Sequence, residues 1–152
     1  MAHVELSLSE AFVPAARAST EPECDNVGQW SSTVSRADEP CLLIDAHTRV
    51  VAISTAGCEL LCLGEPAGLI GRPLLDGGLR LLDFTANRCE LAEAEIDKIP
   101  PLLALSSGRL ARGLLRVQAA SANSSDATVD AISTPVLTEG TVAGSLTFFS
   151  EV

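Results

Sequence analysis

Apolar and polar positions change rhythm at Pro40. PCLLID is a short apolar run closed by Asp45, AHTR has turn composition, and VVAIS is a second, β-branched run, so the spacing predicts a hairpin from Cys41 to Ser54. In TAGCELLCLG, Ala56, Leu60, Leu61 and Leu63 give a short helical face and Gly64 a stop. Between Glu65 and Arg88 stand Pro66, Gly68, Gly71, Pro73, Gly77 and Gly78, too much punctuation for one long helix, so short helical turns between loops are expected. Pro100 and Pro101 fit the first turn of a helix through LLALSS, where a missing N–H costs nothing, and Gly108 fits its C-terminal cap. From Leu110 to Gln118, Ala111, Gly113, Leu115 and Val117 alternate with Leu110, Arg112, Leu114 and Arg116, one face apolar and the other partly charged. SANSSDA is a loop, Thr128 to Leu137 a second run, TEGT a turn around Gly140, and Val142 to Val152 a third. The order β-β-α-α-α-β-β-β, with hairpin-like connections, predicts an α+β fold: an antiparallel sheet with short helices gathered on one face.

Ahead of Pro40 the pattern is sparser. In residues 1–18, Val4, Leu8, Ala11, Phe12 and Ala15 recur at helical spacing and Ser7 with Glu10 fits a capping box, which predicts an N-terminal amphipathic helix cut short by Pro14. Residues 19–39 are rich in Ser, Thr, Glu, Asp and Pro and read as an acidic linker, with Val27, Trp30 and Val34 as its few apolar anchors. Residues 40–152 form the expected folded domain. Of the 20 acids and 10 bases, seven acids and two bases lie in the first 39 residues, so half of the net charge of −10 belongs to the leader and linker.

Composition narrows the function. Aromatic residues make up 3% of the chain, with no Tyr, which disfavours stacking on bases or flat cofactors, and the acidic balance disfavours nucleic acid. Five cysteines without a disulfide-like spacing, Glu5 and Glu10 where a secretory signal would be basic, and no apolar run of membrane-spanning length together predict a cytoplasmic protein without a membrane segment.

Three pieces of the chain, in order, resemble a PAS domain: the opening hairpin PCLLIDAHTRVVAIS, the element LIGRPLLD (Leu69 to Asp76) with its Ile-Gly-Arg-Pro, and the closing AISTPVLTEGTVAGSLTFF. The resemblance covers Pro40 to Phe149. It implies a five-stranded antiparallel sheet that encloses, with the short helices, a pocket or a filled core. It also implies a role in sensing small molecules, redox state or light, or in pairing proteins. The 152 residues contain no kinase, phosphatase, cyclase or DNA-binding output, so a separate signalling protein is the expected partner. The string that binds flavin covalently in light-sensing members, Asn-Cys-Arg-Phe-Leu-Gln, is not matched: Asn87-Arg88-Cys89-Glu90 has Arg and Cys in the other order, and Cys89 is expected in a loop. The stretch Ile96 to Gly108, where haem-binding members carry an axial His, has none; His3 and His47 are the only histidines, and His47 sits in the predicted first turn. No cofactor and no metal are expected.

Cys58 and Cys62, four residues apart on the first helix of the domain, read first as core packing, with a thiol redox sensor as the alternative. Two thiolates alone do not complete a metal site. The acids Glu90, Glu93, Glu95 and Asp97 read as a solvated flank whose charge favours a helix N-terminus. No Ser/His/acid or Cys/His group is present, so no enzyme activity and no catalytic residue are expected.

An apolar pocket is what remains for a ligand. Its expected lining is Leu43, Val51 and Ile53 from the first hairpin; Leu60, Ile70, Leu74, Phe84, Leu102 and Leu103 from the helical middle; and Leu115, Val117, Val129 and Phe148 from the closing strands. With few rings available, a small aliphatic ligand is favoured over a flat one. In the first strand both alternating sets, Cys41 with Leu43 and Leu42 with Ile44, are apolar, so something should cover the second face. The expected cover is the N-terminal segment in a homodimer, with Val4, Leu8, Phe12, Leu42 and Ile44 at the interface. The functional expectation is a stand-alone sensory and protein-interaction domain that homodimerises, with a ligand-free scaffold as the alternative.

Overall fold

The computed structural model describes residues 25–76, 78–119, 121 and 123–152. Its first element is a helix, α1 (Asn26–Arg36), inside the stretch read as linker. Asp25 caps it by accepting the Gly28 N–H at 3.0 Å. Val27 and Val34, seven residues apart and therefore on one face, bring it down on the sheet, with Val34 buried among Cys41, Leu43, Ala52, Val136 and Leu146. Polar residues dominate the composition of this stretch, while two of its apolar anchors, Val27 and Val34, determine its packing.

β1 (Cys41–Asp45) and β2 (Val50–Ile53) form the expected hairpin, closed by the Asp45 carboxylate, which accepts the N–H groups of His47 at 2.8 Å and Arg49 at 3.0 Å. Ser54 caps α2 (Thr55–Leu60) through the Gly57 N–H. Two single 3-10 turns, Pro66–Gly68 and Leu74–Asp76, answer the dense punctuation of the middle segment. After them come β3 (Leu81–Leu82), α3 (Glu93–Ile96), α4 (Pro100–Ser107), β4 (Ala111–Val117), β5 (Ala127–Thr138) and β6 (Thr141–Glu151). Pro100 and Pro101 open α4, and Gly108, at φ 69°, closes it in the left-handed region, as the sequence predicts.

The sheet has six antiparallel strands in the order β2-β1-β6-β5-β4-β3. β6 is inserted between β1 and β5, so the first hairpin and the last lie side by side. The strand beyond the expected five is β3, two residues long and paired with β4 only at Leu81↔Val117 and Leu82↔Arg116. α2, α4 and the 3-10 turn Leu74–Asp76 pack one face, called here the inner face, and α1 packs the β1–β2 end of the other.

Candidate functional site

In the core of this fold, small residues bring a helix close to the sheet. Ala111, Gly113, Ala131, Ser133, Ser145 and Thr147 share the inner face of β4, β5 and β6 by register. The Ser133 and Thr147 hydroxyls bond each other at 2.6 Å, which satisfies two buried polar groups internally, and the Ser145 hydroxyl donates to the Pro101 carbonyl of α4 at 2.9 Å. Pro100 lies directly over Gly113, where a Cβ would meet its ring at 3.5 Å, an ordinary van der Waals contact. With this floor of small side chains, α4 sits low and its prolines fill space that larger side chains would have to share with a void.

The predicted lining residues divide into three groups. Ile53, Leu74, Leu115, Val117 and Val129 are buried on the inner face, with Leu60 and Leu102 packed against them. Leu43 and Val51 face the other way, under α1. Ile70, Phe84, Leu103 and Phe148 are exposed. The expected interface residues Leu42 and Ile44 are in turn buried on the inner face, so they cannot meet a second molecule. The inner and outer sets of β1 are thus exchanged relative to expectation. Pairing across β6 decides it, with Leu42 opposite Thr147 and Leu43 opposite Leu146. Val4, Leu8 and Phe12 lie outside the described residues.

An open cleft of about 190 Å³ lies where β4 outruns β3. Leu81, Leu91, Ile99 and Pro100 line its inner side, Leu82, Phe84 and Leu114 its outer side, and Glu95, Lys98 and Arg116 its rim. Of the predicted lining, only Phe84 and Leu115 belong to it.

Away from α1, the outer face of the sheet carries apolar side chains with no cover among the described residues. Phe148 is 44% exposed and pairs across strands with half-buried Ile132; Leu114, 52% exposed, is on the same face. Trp30 of α1 is also exposed. Arg112 and Asp130 bridge β4 and β5 on that face at 2.6 Å. Sequence reasoning missed Phe148 as an outer residue because Phe148 and Phe149 are equally apolar neighbours, and only the register tells which one turns inward.

A second polar cluster joins segment 83–90 to the β4–β5 hairpin. The Asp126 carboxylate accepts from the Arg88 guanidinium, with Nη2 at 2.8 Å, and from the Ala119 N–H at 3.0 Å; Arg116 approaches it at 3.5 Å. These partners, Arg88 foremost, hold the Asp126 carboxyl down to about 2. Arg116 also donates to the carbonyls of Asp83 and Thr85. The cluster links segment 83–90 to the β4–β5 hairpin.

The thiols have structural settings. Cys58 is buried in the inner core and burial pushes its pKa up, which works against a thiolate. Cys62 lies beyond the end of α2 at φ 59°, where its N–H bonds the Glu59 carbonyl and the Leu63 N–H reaches back to Cys58, so it terminates the helix instead of sharing a helical face with Cys58. Cys89 is exposed in a loop and His47 is exposed in its turn, both as expected. Among the described residues no group of three His, Cys, Asp or Glu side chains could hold a metal ion, and no helix is long and apolar enough to cross a membrane.

No protein-family model matches the chain and no curated protein matches it in sequence. Solved structures do match its fold. The PAS domain of a protein from Colwellia psychrerythraea aligns with TM-score 0.55 at 12% identity, over 84% of this chain and 98% of that one. The Rhodobacter sphaeroides LOV protein aligns at 0.57 and 20% identity, over 84% and 66%. The VqmA dimer of Vibrio cholerae aligns at 0.54 and 16% identity, over 82% and 50%. The chain therefore has the PAS fold.

Proposed function

We propose that this chain, having the PAS fold, works as a PAS-type sensory and protein-interaction domain without catalytic activity of its own, pairing with a second copy through the outer face of its sheet and acting on a separate signalling protein. The observation that carries this reading is the apolar band of Phe148, Ile132 and Leu114 on the outer face, which no described residue covers. Contiguous apolar surface on a folded domain marks an interface. The Arg112–Asp130 bridge within the band supplies both signs of charge, which a two-fold interface can match to themselves. That a matching structure, VqmA, is described as a dimer agrees with this.

The low seat of α4 on Gly113, Ser133 and Ser145 supports a ligand-free mode, in which the inner core is occupied by the protein's own side chains. Sedimentation velocity tests the pairing. The wild-type chain is expected to dimerise in the micromolar range, and Phe148→Glu to weaken the dimer at least about tenfold by placing a charge at the centre of the band. A wild-type chain that sediments as a monomer throughout that range, or a Phe148→Glu chain with an unchanged association constant, refutes the outer-face dimer.

A further inference from the structure

We propose that the open edge of β4, with the cleft beside it, binds a short extended segment of the separate signalling protein, apolar at its centre and rich in Lys or Arg at its ends. The inference rests on the reading above for the existence of that protein and supplies the place and the chemistry of the contact. β3 accompanies β4 only as far as Arg116, and segment 89–91 in turn covers β3, so among the described residues the ladder stops while β4 runs on to Ala111. The Gln118 N–H donates to the Arg80 carbonyl on that side at 2.9 Å. Two-residue periodicity then turns the N–H and C=O groups of Arg112 and Leu114 to the same side, where no described residue pairs with them. Alongside lies the cleft of about 190 Å³, walled on its inner side by Leu91, Ile99 and Pro100. An unpaired strand edge beside an apolar cleft receives an extended segment: backbone bonds hold it, and alternate side chains fill the cleft.

Shape and charge select the occupant. The free stretch, residues 111–115, is about 17 Å long, which limits the pairing to a short segment. A residue set opposite Gly113 turns its side chain to the inner side, and because Gly113 has none, that side chain has the cleft to itself, with room for one branched aliphatic group. Its two neighbours turn outward, toward Phe84 and Leu114, both exposed, so they too are apolar. A second copy of β4 fits less well: it would bring its own Pro100 and Ile99 to a strand only about 5 Å away, into space that the first copy's walls already hold. The rim is acidic. Segment 90–98, which supplies Glu95 and Lys98 to it, holds Glu90, Glu93, Glu95 and Asp97 against Lys98. Glu90 is bridged to Arg80 and Glu95 to Lys98, while Glu93 and Asp97 are exposed with no ion pair among the described residues. On the sheet side Arg112 and Arg116 are already neutralised by Asp130 and Asp126, so basic flanks on the incoming segment complement the charge that remains.

Amide hydrogen exchange by NMR on the full chain tests this with two synthetic peptides, acetyl-Lys-Lys-Val-Leu-Val-Lys-Lys-amide and its counterpart with Glu in place of every Lys. In the free chain the Arg112 and Leu114 amides are expected to exchange faster than that of Val129. The basic peptide at about 2 mM should slow both at least about fivefold and leave Val129 unchanged, while the acidic peptide changes none of them. Glu93→Lys/Asp97→Lys, two exposed positions, should weaken binding of the basic peptide at least about threefold. Rates unchanged by the basic peptide overturn the proposal, as does equal protection by the two peptides. Arg112 and Leu114 amides already as slow as Val129 in the free chain overturn it too, because the edge would then be closed. Running the same series on the Phe148→Glu chain separates the result from outer-face dimerisation: protection by the basic peptide is expected there as well, whether or not the wild-type chain dimerises.

Discussion

Glu139 and Gly140 stand at φ 52° and 80°, two consecutive left-handed residues that join the paired Thr138 and Thr141. This is the type I′ turn, whose twist matches that of the strands it connects. Glycine adopts it freely, and glutamate, with a Cβ and no short polar group to offset the strain, does so less well than asparagine. Glu139→Asn is therefore expected to raise stability by about 0.5 kcal/mol and Gly140→Ala to lower it by about 1 kcal/mol, read as shifts of the urea midpoint at constant slope. A lowered midpoint for Glu139→Asn would mean that the glutamate side chain stabilises the hairpin by more than its backbone strain costs. This turn was legible in TEGT because glycine beside polar residues has a local meaning. The faces of β1 were not legible, because Cys41, Leu42, Leu43 and Ile44 are apolar in both alternating sets and a period of two carries no information when both sets look alike. Three residues of the expected pocket and interface, Leu42, Leu43 and Ile44, ended on the opposite face for this reason.

At the scale of elements, legibility follows how much of an element's identity is local. The first hairpin, the double-proline start of α4 and its Gly108 stop are specified by their own residues, and all three are found. α1 and β3 are specified by what they pack against. NVGQWSSTVSR offers few apolar positions to a reader of composition, yet Val34 is buried in the outer cluster and the helix lies across β1, β2 and the end of β5. Most helical stability in a folded chain comes from such tertiary burial rather than from propensity. Val34→Ala is accordingly expected to cost about 2 kcal/mol of unfolding free energy, by loss of two buried methyl groups and the space left behind, while Thr33→Ala, one position round the helix and exposed, stays within about 0.5 kcal/mol. If both substitutions proved neutral in chemical denaturation, α1 would contribute nothing to the fold in solution.

Over the whole molecule, one charged cluster ties the helical middle to the sheet. Segment 83–90 leaves β3, passes Phe84 at the cleft and returns to pair Leu91 with Leu81; its side-chain links to β4 and the β4–β5 connection are Arg88 to Asp126 and Arg116 to the carbonyls of Asp83 and Thr85. Asp126, on the far strand connection, is the group through which acid can act on it. Its folded-state pKa of about 2 lies below the roughly 3.9 of an unfolded aspartate, so the unfolded chain takes up the proton first as pH falls. The stabilisation is complete above about pH 4, declines between about 4 and 2, and is gone below the folded value. Thermal denaturation across that window should show a decline that is shallower in Asp126→Asn, which keeps the shape and removes the titration. Exchange of the 83–90 amides should quicken over the same interval in the wild-type chain alone, because the segment loses its anchor before the β5–β6 core opens. Added salt should lower the wild-type plateau near neutral pH only slightly, since the Asp126 side chain is 11% exposed and its bonds to Arg88 and the Ala119 N–H are short. A wild-type profile that falls as steeply in the asparagine variant would move the acid sensitivity to other carboxylates, with Asp83, lowered by its own bonds to Thr85, the first to examine.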